Sequence, residues 1–169
     1  MKKPTGSEFP EFYAPYIERV ESTNVMEALK ATLQNTTEFI RNIPLEKEYF
    51  SYADNKWTVK NVLSHIIDTE RVMAYRALRF ARNDSTDLPG YDEKDYAESD
   101  NTDNITLEGL ASNFHNLRIS TVDLFSSFSD EMLKRSGTAN SLQVSVLALG
   151  YIIAGHELHH LSILKERYL

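Results

Sequence analysis

The chain contains no cysteine among its 169 residues. Disulfide bonds, iron–sulfur clusters, thiolate zinc sites and a cysteine nucleophile are therefore excluded. The chain needs no covalent cross-links for stability, because a domain of this length removes roughly two-thirds of its extended surface on folding. A composition without cysteine fits a reducing compartment, and we predict a cytoplasmic protein.

Basic residues are too few and too scattered for a nucleic-acid-binding protein. Eighteen Lys and Arg residues against 25 Asp and Glu residues give a net charge of −7, whereas phosphate binding requires a concentrated basic surface. The longest nearly apolar run, residues 146–155, is too short to cross a bilayer. The N-terminal segment MKKPTGSEFPEF lacks the apolar core of a signal peptide. We therefore expect neither a nucleic acid nor a membrane as a partner.

Turn-forming residues are also sparse, with six Gly and five Pro. No Asn-Gly or Asp-Gly pair lies between alternating segments, so no β-hairpin is predicted. Four long segments instead show the apolar period of amphipathic helices: residues 25–43, 58–83, 106–128 and 145–169. Thr58 and Ser145 are suitable N-caps for the second and fourth helices. The pattern predicts an all-α four-helix bundle.

The connection between the second and third predicted helices, residues 84–103, is the longest. Its length indicates that these helices do not form a simple hairpin, which predicts a bundle with one long crossover. Residues 1–22 are interpreted as an N-terminal extension, in which residues 11–20 predict a short helix packed outside the bundle. The bundle itself occupies residues 23–169 as one domain.

Three of the five histidines lie close together in the predicted fourth helix. The apolar stripe that includes Ile153 continues at His156 and His160, which therefore take two consecutive core positions one turn apart. His159 lies about 100° away from His160, toward the flank, and is not predicted to be a ligand. Two adjacent imidazoles in an apolar core are hard to explain as packing alone, because each buried ring nitrogen needs a partner.

A further histidine, His65, lies on the core-facing stripe of the predicted second helix. It could therefore meet the pair on the fourth helix at the middle of the bundle. Three nitrogen ligands from two helices leave a coordination position open, which is typical of a catalytic metal site. We predict that His65, His156 and His160 bind a divalent metal ion. The alternative is that His65 belongs to a polar patch with Asp68 or Glu70.

Residues 156–160 also match the H-E-x-x-H motif of metalloproteases, in which the glutamate is the general base. The context argues against a protease, because only nine residues follow His160 and no strand is predicted that could align a peptide. Glu157 follows His156 by one position, which turns it away from the predicted core. We therefore expect Glu157 to be exposed to solvent.

Three segments together resemble the DinB/YfiT-like superfamily: residues 57–82 (WTVKNVLSHIIDTERVMAYRALRFAR), residues 88–93 (LPGYDE) and residues 137–164. The similarity spans about residues 23–169, and its most specific element is the histidine spacing, one in the second helix and H-x-x-x-H in the fourth. The resemblance implies an up-down-down-up helix order. It also implies a metal triad at His65, His156 and His160, the residues that the stripe analysis selects.

The resemblance further implies a range of activities. Some members of this superfamily are metal-dependent transferases or isomerases that use low-molecular-weight thiols such as bacillithiol or mycothiol, and others are described as metal-dependent hydrolases. Zinc and nickel are their main metals. We therefore expect a small-molecule substrate, a zinc or nickel ion and, for a transferase, a thiol cosubstrate. Because members often pair through helices, a homodimer is also an expectation.

Charged residues near the predicted triad are candidates for supporting roles. Asp68 and Glu70 could orient a ligating imidazole, although each is also explained as a surface charge. Arg76, on the same stripe as His65, and the nearby Arg79 could bind an anionic substrate. The alternative for both arginines is an ion pair with the acidic crossover.

Two further candidates lie on other elements. His115 on the third helix neighbours Arg118 and could line the pocket, and Tyr91 in the crossover could close over the site. The leading hypothesis is an enzyme whose metal ion activates a thiol or water for attack on a small electrophilic substrate. Two alternatives stay open: a non-catalytic bundle with a structural or metal-sensing ion, and a partner-binding bundle without metal.

Overall fold

A computed structural model describes residues 2–169 and shows a mostly helical chain. In chain order its elements are α1 (Ala14–Arg19), α2 (Val25–Ala31), α3 (Leu33–Arg41), α4 (Val59–Ala81), α5 (Glu93–Ser99), α6 (Leu107–Ser126), α7 (Asp130–Lys134), β1 (Ser136–Ala139), β2 (Leu142–Ser145) and α8 (Val146–Arg167). Short 3₁₀ turns lie at Glu11–Tyr13, Leu45–Lys47 and Thr102–Asn104. The four predicted bundle helices are confirmed as α2 with α3, α4, α6 and α8.

Side-chain caps define where the long helices begin. Thr58 and Asn61 form a reciprocal capping box, in which each side-chain oxygen accepts a hydrogen bond from the backbone N–H of the other residue. Ser145 caps α8 by accepting from the Ala148 N–H at 3.0 Å. Both predicted N-caps are confirmed, because these oxygens satisfy N–H groups that have no partner within the helix.

Contacts along the bundle give the directions of the first and last helices. Val25 at the start of α2 lies against Gly150 near the start of α8. Phe39 near the end of α3 lies under the Lys165 ammonium group near the end of α8, 5.2 Å from the ring centre. The α2–α3 segment and α8 therefore run in the same direction.

The two middle helices run in the opposite direction. Tyr168, just after α8, donates a hydrogen bond to the carbonyl of Trp57, just before α4, so α4 is antiparallel to α8. Asn61 in the first turn of α4 donates to Thr102, just before α6, so the starts of α4 and α6 lie side by side. The up-down-down-up order is confirmed. The crossover must travel the length of the bundle, because parallel neighbours cannot be joined by a tight turn.

The first bundle helix is interrupted, which its sequence pattern does not predict. Thr32 separates α2 from α3 in the segment expected to form one helix. At this point the Arg118 guanidinium donates to the Leu29 carbonyl at 3.2 Å and to the Thr32 hydroxyl at 2.8 Å. A side chain that inserts into the helical hydrogen-bond ladder is a known cause of such breaks. The expected continuous helix is therefore wrong at this position.

An antiparallel hairpin of β1 and β2 precedes α8, and the prediction of no hairpin is wrong. Its two turn residues, Asn140 and Ser141, have positive φ angles of 53° and 61°, as a type I′ turn requires. Asparagine adopts this conformation readily but serine does so only rarely, so the sequence carries no standard hairpin signature here.

The crossover is anchored to this hairpin. The Leu88 N–H donates to the Thr138 carbonyl at 3.0 Å, and the Asn140 N–H donates to the Leu88 carbonyl at 2.8 Å. Gly90 lies so close to Asn140 that a Cβ at this position would be 2.7 Å from the asparagine side chain. The crossover also contains α5, which is capped by Asp92 and which the polar composition did not predict.

The core consists of two buried apolar clusters at opposite ends of the bundle. One includes Phe80 and Leu149, and the other includes Leu63 and Leu164. The middle of the long helices contributes a layer of buried polar side chains: Thr36, Thr37, His65, Thr69, Glu70, Arg118, Thr121, His156 and Glu157. Polar groups are costly to bury without partners, so this layer is where a functional site is expected.

α8 is the central helix of the bundle. All residues from 146 to 157 are buried, because α1, α2 and α4 all pack against this helix. The apolar run in the sequence is explained by this central position. Within residues 2–169, no helix combines the length and the apolar character that a membrane span requires.

The N-terminal extension packs directly on α8. The expected short helix in residues 11–20 is confirmed as α1 and the 3₁₀ turn before it. At the contact, a Cβ on Gly155 would lie only 1.9 Å from the Tyr16 carbonyl oxygen, so only glycine permits this approach. The Tyr16 ring also meets the edge of the His156 ring, with 5.4 Å between their centres. The extension therefore covers the helix that carries two of the three predicted ligands.

The substitution Gly155→Ala should destabilise the protein by about 1–3 kcal/mol, because the added methyl group must displace the α1 backbone. Chemical denaturation measures this change in the free energy of unfolding. Gly6→Ala is the control, since nothing lies within 4 Å of the added Cβ, and it should change stability by less than about 0.5 kcal/mol. Equal stabilities of the two variants would contradict the docking of α1 on Gly155.

Candidate metal centre

Three imidazoles from two antiparallel helices meet in the polar layer. α4 provides His65, and α8 provides His156 and His160, one turn apart. One ring nitrogen from each histidine lies within 4.8 Å of those of the other two; His65 and His156 are buried, and His160 is half-buried. His65 Nε2 is 2.9 Å from His156 Nε2. The fold thus brings together the three residues selected from the sequence.

Burial keeps these imidazoles neutral. Loss of hydration lowers the pKa of His65 to about 4. Burial, with the neighbouring imidazoles, lowers the pKa of His160 to about 3. The same causes, burial first, hold the pKa of His156 well below its usual value. At neutral pH each ring therefore has a nitrogen lone pair available for a ligand bond.

The donor set fits a divalent metal ion. Tetrahedral zinc with bonds of about 2.0–2.1 Å to histidine separates its ligand nitrogens by roughly 3.4 Å. This separation lies between the 2.9 Å contact of His65 with His156 and the 4.8 Å limit for the whole group. Neutral imidazole suits zinc, nickel, copper and iron. Three protein ligands also leave a coordination position for a further molecule.

Aromatic rings pack around the histidines. The Trp57 ring lies 4.9 Å from the His65 ring, centre to centre. Tyr16 contacts both His156 and His159, the latter at 5.3 Å. His159 is not part of the converging group, in line with its exclusion as a ligand. These rings therefore cover part of the surface of His65 and His156.

Neither acidic candidate on α4 orients an imidazole. Among residues 2–169, no carboxylate accepts a hydrogen bond from any of the three rings. Asp68 pairs instead with Arg71 at 2.9 Å on the partly exposed side of α4, as expected for a surface charge. Glu70 is buried and pairs with Arg118, so both of its expected roles, imidazole partner and surface charge, are wrong.

Glu157 is also buried, contrary to the expectation of solvent exposure. Its carboxylate accepts hydrogen bonds from Thr32 at 2.6 Å and from Thr36, and it pairs with Arg118 at 2.8 Å. Because these groups occupy the carboxylate, Glu157 cannot act as the general base that the H-E-x-x-H motif requires. The error arises because α8 is surrounded here, so a side chain that turns away from the histidines still enters the core.

Arg118, which sequence reasoning missed, is the centre of a buried charge network. Its guanidinium makes two hydrogen bonds to Glu70, at 2.9 and 2.8 Å, in addition to the ion pair with Glu157. Burial alone would lower the pKa of Arg118, but the two carboxylates raise it above its usual value. The available signal was its position on one stripe of α6 with Phe114 and Thr121, both of which are buried.

A cavity of about 210 Å³ opens beside His156. The N-terminal extension, α4, the crossover, the hairpin and α8 all contribute to its wall. Tyr91 of the crossover lines it, and the Tyr91 hydroxyl lies 2.9 Å from Thr69 Oγ1. Closure of Tyr91 over the site stays a prediction. Burial raises the pKa of Tyr91 to about 12, so its hydroxyl stays protonated.

The remaining candidates divide into those inside and those outside this cavity. Arg76 is buried in the cavity wall. Arg79 forms an ion pair with Asp84 of the crossover, which is the alternative considered for it. His115 does not line the cavity, so the structure does not bring it to the site expected for it.

The chain is an up-down-down-up bundle with histidines on its second and fourth long helices. Comparison with known protein families and solved structures identifies the class to which it belongs. A sequence model of the DinB superfamily matches residues 28–164, and the chain belongs to this superfamily. The chain is also similar to YfiT from Bacillus subtilis, which is described as a probable metal-dependent hydrolase with an unusual four-helix bundle topology.

The similarity to YfiT shows a shared fold. The two chains are 21% identical and superpose with a TM-score of 0.69, over 97% of this chain and 90% of the other. No curated protein sequence matches the chain significantly. The activity of the chain must therefore be inferred from its own residues.

The substitution Arg118→Met should reduce the free energy of unfolding by about 3–5 kcal/mol, because it leaves Glu70 and Glu157 buried without a counter-charge. Chemical denaturation measures the change. Arg41→Met is the matched control: Arg41 pairs with Glu108 in an exposed position, where water screens the interaction, and stability should be nearly unchanged. A loss for Arg118→Met no larger than that for Arg41→Met would be incompatible with the network.

Proposed function

We propose that this protein is a metal-dependent enzyme acting on a small organic substrate, with His65, His156 and His160 as ligands of one divalent cation. The convergence of three neutral imidazoles, two of them buried, beside a cavity carries this proposal. Membership of the DinB superfamily and the description of YfiT as a probable metal-dependent hydrolase support it. Imidazole ligands are compatible with zinc and nickel, the two ions that the resemblance to the superfamily implies.

When bound, such an ion supplies Lewis-acid chemistry, because it favours the deprotonated form of a water or thiol and so provides a nucleophile near neutral pH. The protein holds the three ligands in position on two helices, α4 and α8. His156 is the ligand that lines the cavity, so a substrate in the cavity lies next to the ligand group. The Trp57 ring packs against the His65 ring.

Two hydroxyl groups in the cavity wall provide polar contacts close to the triad. Thr69 lies one helical turn from His65 on α4, and its hydroxyl meets that of Tyr91. Because the pKa of Tyr91 is raised to about 12, this phenol can donate a hydrogen bond to a substrate oxygen. The crossover contributes Gly90 and Glu93 to the same wall.

The nucleophile decides between two reactions, and we propose both as candidates. Attack by water gives hydrolysis, and attack by a low-molecular-weight thiol gives transfer. A screen of the metal-loaded protein distinguishes them: conjugation of several thiols to a reactive electrophile is measured beside panels of esters and amides. Turnover that requires a thiol supports transfer, and turnover without one supports hydrolysis. The homodimer and the cytoplasmic location stay predictions.

A non-catalytic metal-binding bundle is the main alternative. If the ion were purely structural, its removal would unfold the protein. The structure argues for a stable metal-free form, because α4 and α8 are also joined by both apolar clusters and by the ion pairs of Arg118. Absence of turnover in every assay, together with unfolding on metal removal, would support the structural role and contradict the enzyme.

Replacement of one ligand should abolish stabilisation by metal. At about 100 times its Kd, zinc or nickel should add about 2.7 kcal/mol to the free energy of unfolding of the wild-type protein, and almost nothing to that of His160→Ala. His159→Ala is the matched control, because His159 is adjacent but outside the converging group. Thermal unfolding and elemental analysis measure the effect. Wild-type metal content in His160→Ala would refute the ligand assignment.

A further inference from the structure

Arg76 is a buried cation whose charge no residue neutralises. It is only 5% exposed and lines the cavity beside His156. Its Nη2 donates to the Pro89 carbonyl at 2.9 Å, and its Nη1 faces the Met73 sulfur at 3.7 Å. The Tyr91 ring, 6.0 Å from the guanidinium carbon, and the Tyr13 side chain also face Arg76. None of these groups is charged, so the guanidinium keeps an unpaired charge and N–H donors for a ligand.

No carboxylate forms an ion pair with Arg76 in the part of the chain that the structure describes. Asp84 is already paired with the neighbouring Arg79. Glu93 lies on the wall of the same cavity but outside ion-pair distance of Arg76. By contrast, the buried Arg118 is paired with two carboxylates. A buried charge is costly unless it is paired, so the uncompensated guanidinium indicates a ligand of opposite charge.

The cavity has a histidine end and an arginine end. On α4, Thr69 and Arg76 both line it and lie roughly 10 Å apart along the helix axis. On α8, His156 and Leu149 span a similar distance. Arg76 Nη1 contacts Met73, which lies one helical turn nearer the histidines on α4. The guanidinium therefore points toward the histidine end of the cavity, because helical side chains tilt toward the N-terminus of their helix.

We propose that Arg76 binds the carboxylate of a small organic acid, whose reacting group lies at the other end of the cavity next to His156. This inference rests on the proposed function and adds the class of substrate. A carboxylate matches the planar guanidinium and its unused N–H donors. The intervening wall includes Tyr13 and Ile152, which suit an apolar or aromatic body.

Charge and size narrow the ligand further. Arg76 is the only cationic side chain in the described lining of the cavity, and Glu93 adds a negative charge there. A single carboxylate matches the single guanidinium, with which it can form two parallel hydrogen bonds. A volume of about 210 Å³ is below the roughly 300–1,000 Å³ of pockets for drug-sized ligands, so the acid must be compact.

Titration with 3-phenylpropanoate and with its neutral isostere 3-phenylpropanamide tests this inference. Two-dimensional NMR gives the affinity for each probe, in the wild type and in the variants, from the backbone amide resonances of the cavity wall, such as that of Gly90. In the wild type it also follows the Arg76 Nε–H resonance. The wild-type protein should bind the carboxylate at least about tenfold more tightly, because a charge-assisted pair replaces a neutral contact. Arg76→Met should remove this preference, and Arg76→Lys should keep part of it, since the charge remains.

Arg71→Met is the matched control, because Arg71 is an exposed arginine of the same helix and pairs with Asp68. It should keep the full preference for the carboxylate. Equal affinities for the two probes in the wild-type protein, an Arg76 resonance that neither probe shifts, or a preference that survives Arg76→Met would overturn the inference. The comparison of the two probes in the wild-type protein tests the inference even if Arg76→Met folds poorly.

The same samples separate this inference from the proposed function. The titration is performed on the protein as purified and after removal of metal. A carboxylate preference in both forms supports the role of Arg76 independently of the triad. The metal content of the samples tests the triad and leaves the Arg76 result unaffected.

Discussion

The candidate metal centre depends on how α4 and α8 are held together, and the ion pairs of Arg118 join these helices at its level. The guanidinium binds Glu70 on α4, one turn and a half from His65, and Glu157 on α8, next to His156. Such a network is stable only when every charge is paired, because desolvation of each ion is costly. Few relative positions of the two helices meet this condition. We infer that the network also sets where the imidazoles meet.

One side of α4 and α8 therefore holds the bundle together, and another side carries the candidate site. The sides that face α2, α3 and α6 carry the charge network, and the sides that face α1 and the crossover carry the histidines and the cavity wall. The two buried arginines illustrate the difference. Arg118 is paired with two carboxylates of the chain, whereas Arg76 has no charged partner. A ligand that pairs with Arg76 can therefore gain binding free energy there.

Much of the fold and the triad could be predicted because both follow from helical periodicity. The apolar period gave the four long helices, and the continuation of one stripe placed His156 and His160 in the core. The errors have another origin. The face of its own helix predicts that Glu157 is exposed and makes Glu70 either an imidazole partner or a surface charge. Both are buried in ion pairs, because the number of helices packed around a helix cannot be read from its period. The break at Thr32 depends likewise on a distant side chain.

The sequence by itself determined where the long helices lie and which residues share a face, because the backbone hydrogen-bond pattern and the side-chain period are local properties. Only the tertiary structure decided that Arg118 reaches Leu29, 89 residues away along the chain, that Glu157 is enclosed, and that Arg76 faces a cavity without a carboxylate partner. Desolvation and packing between distant segments control these features, and their outcome is defined only once the whole chain has folded.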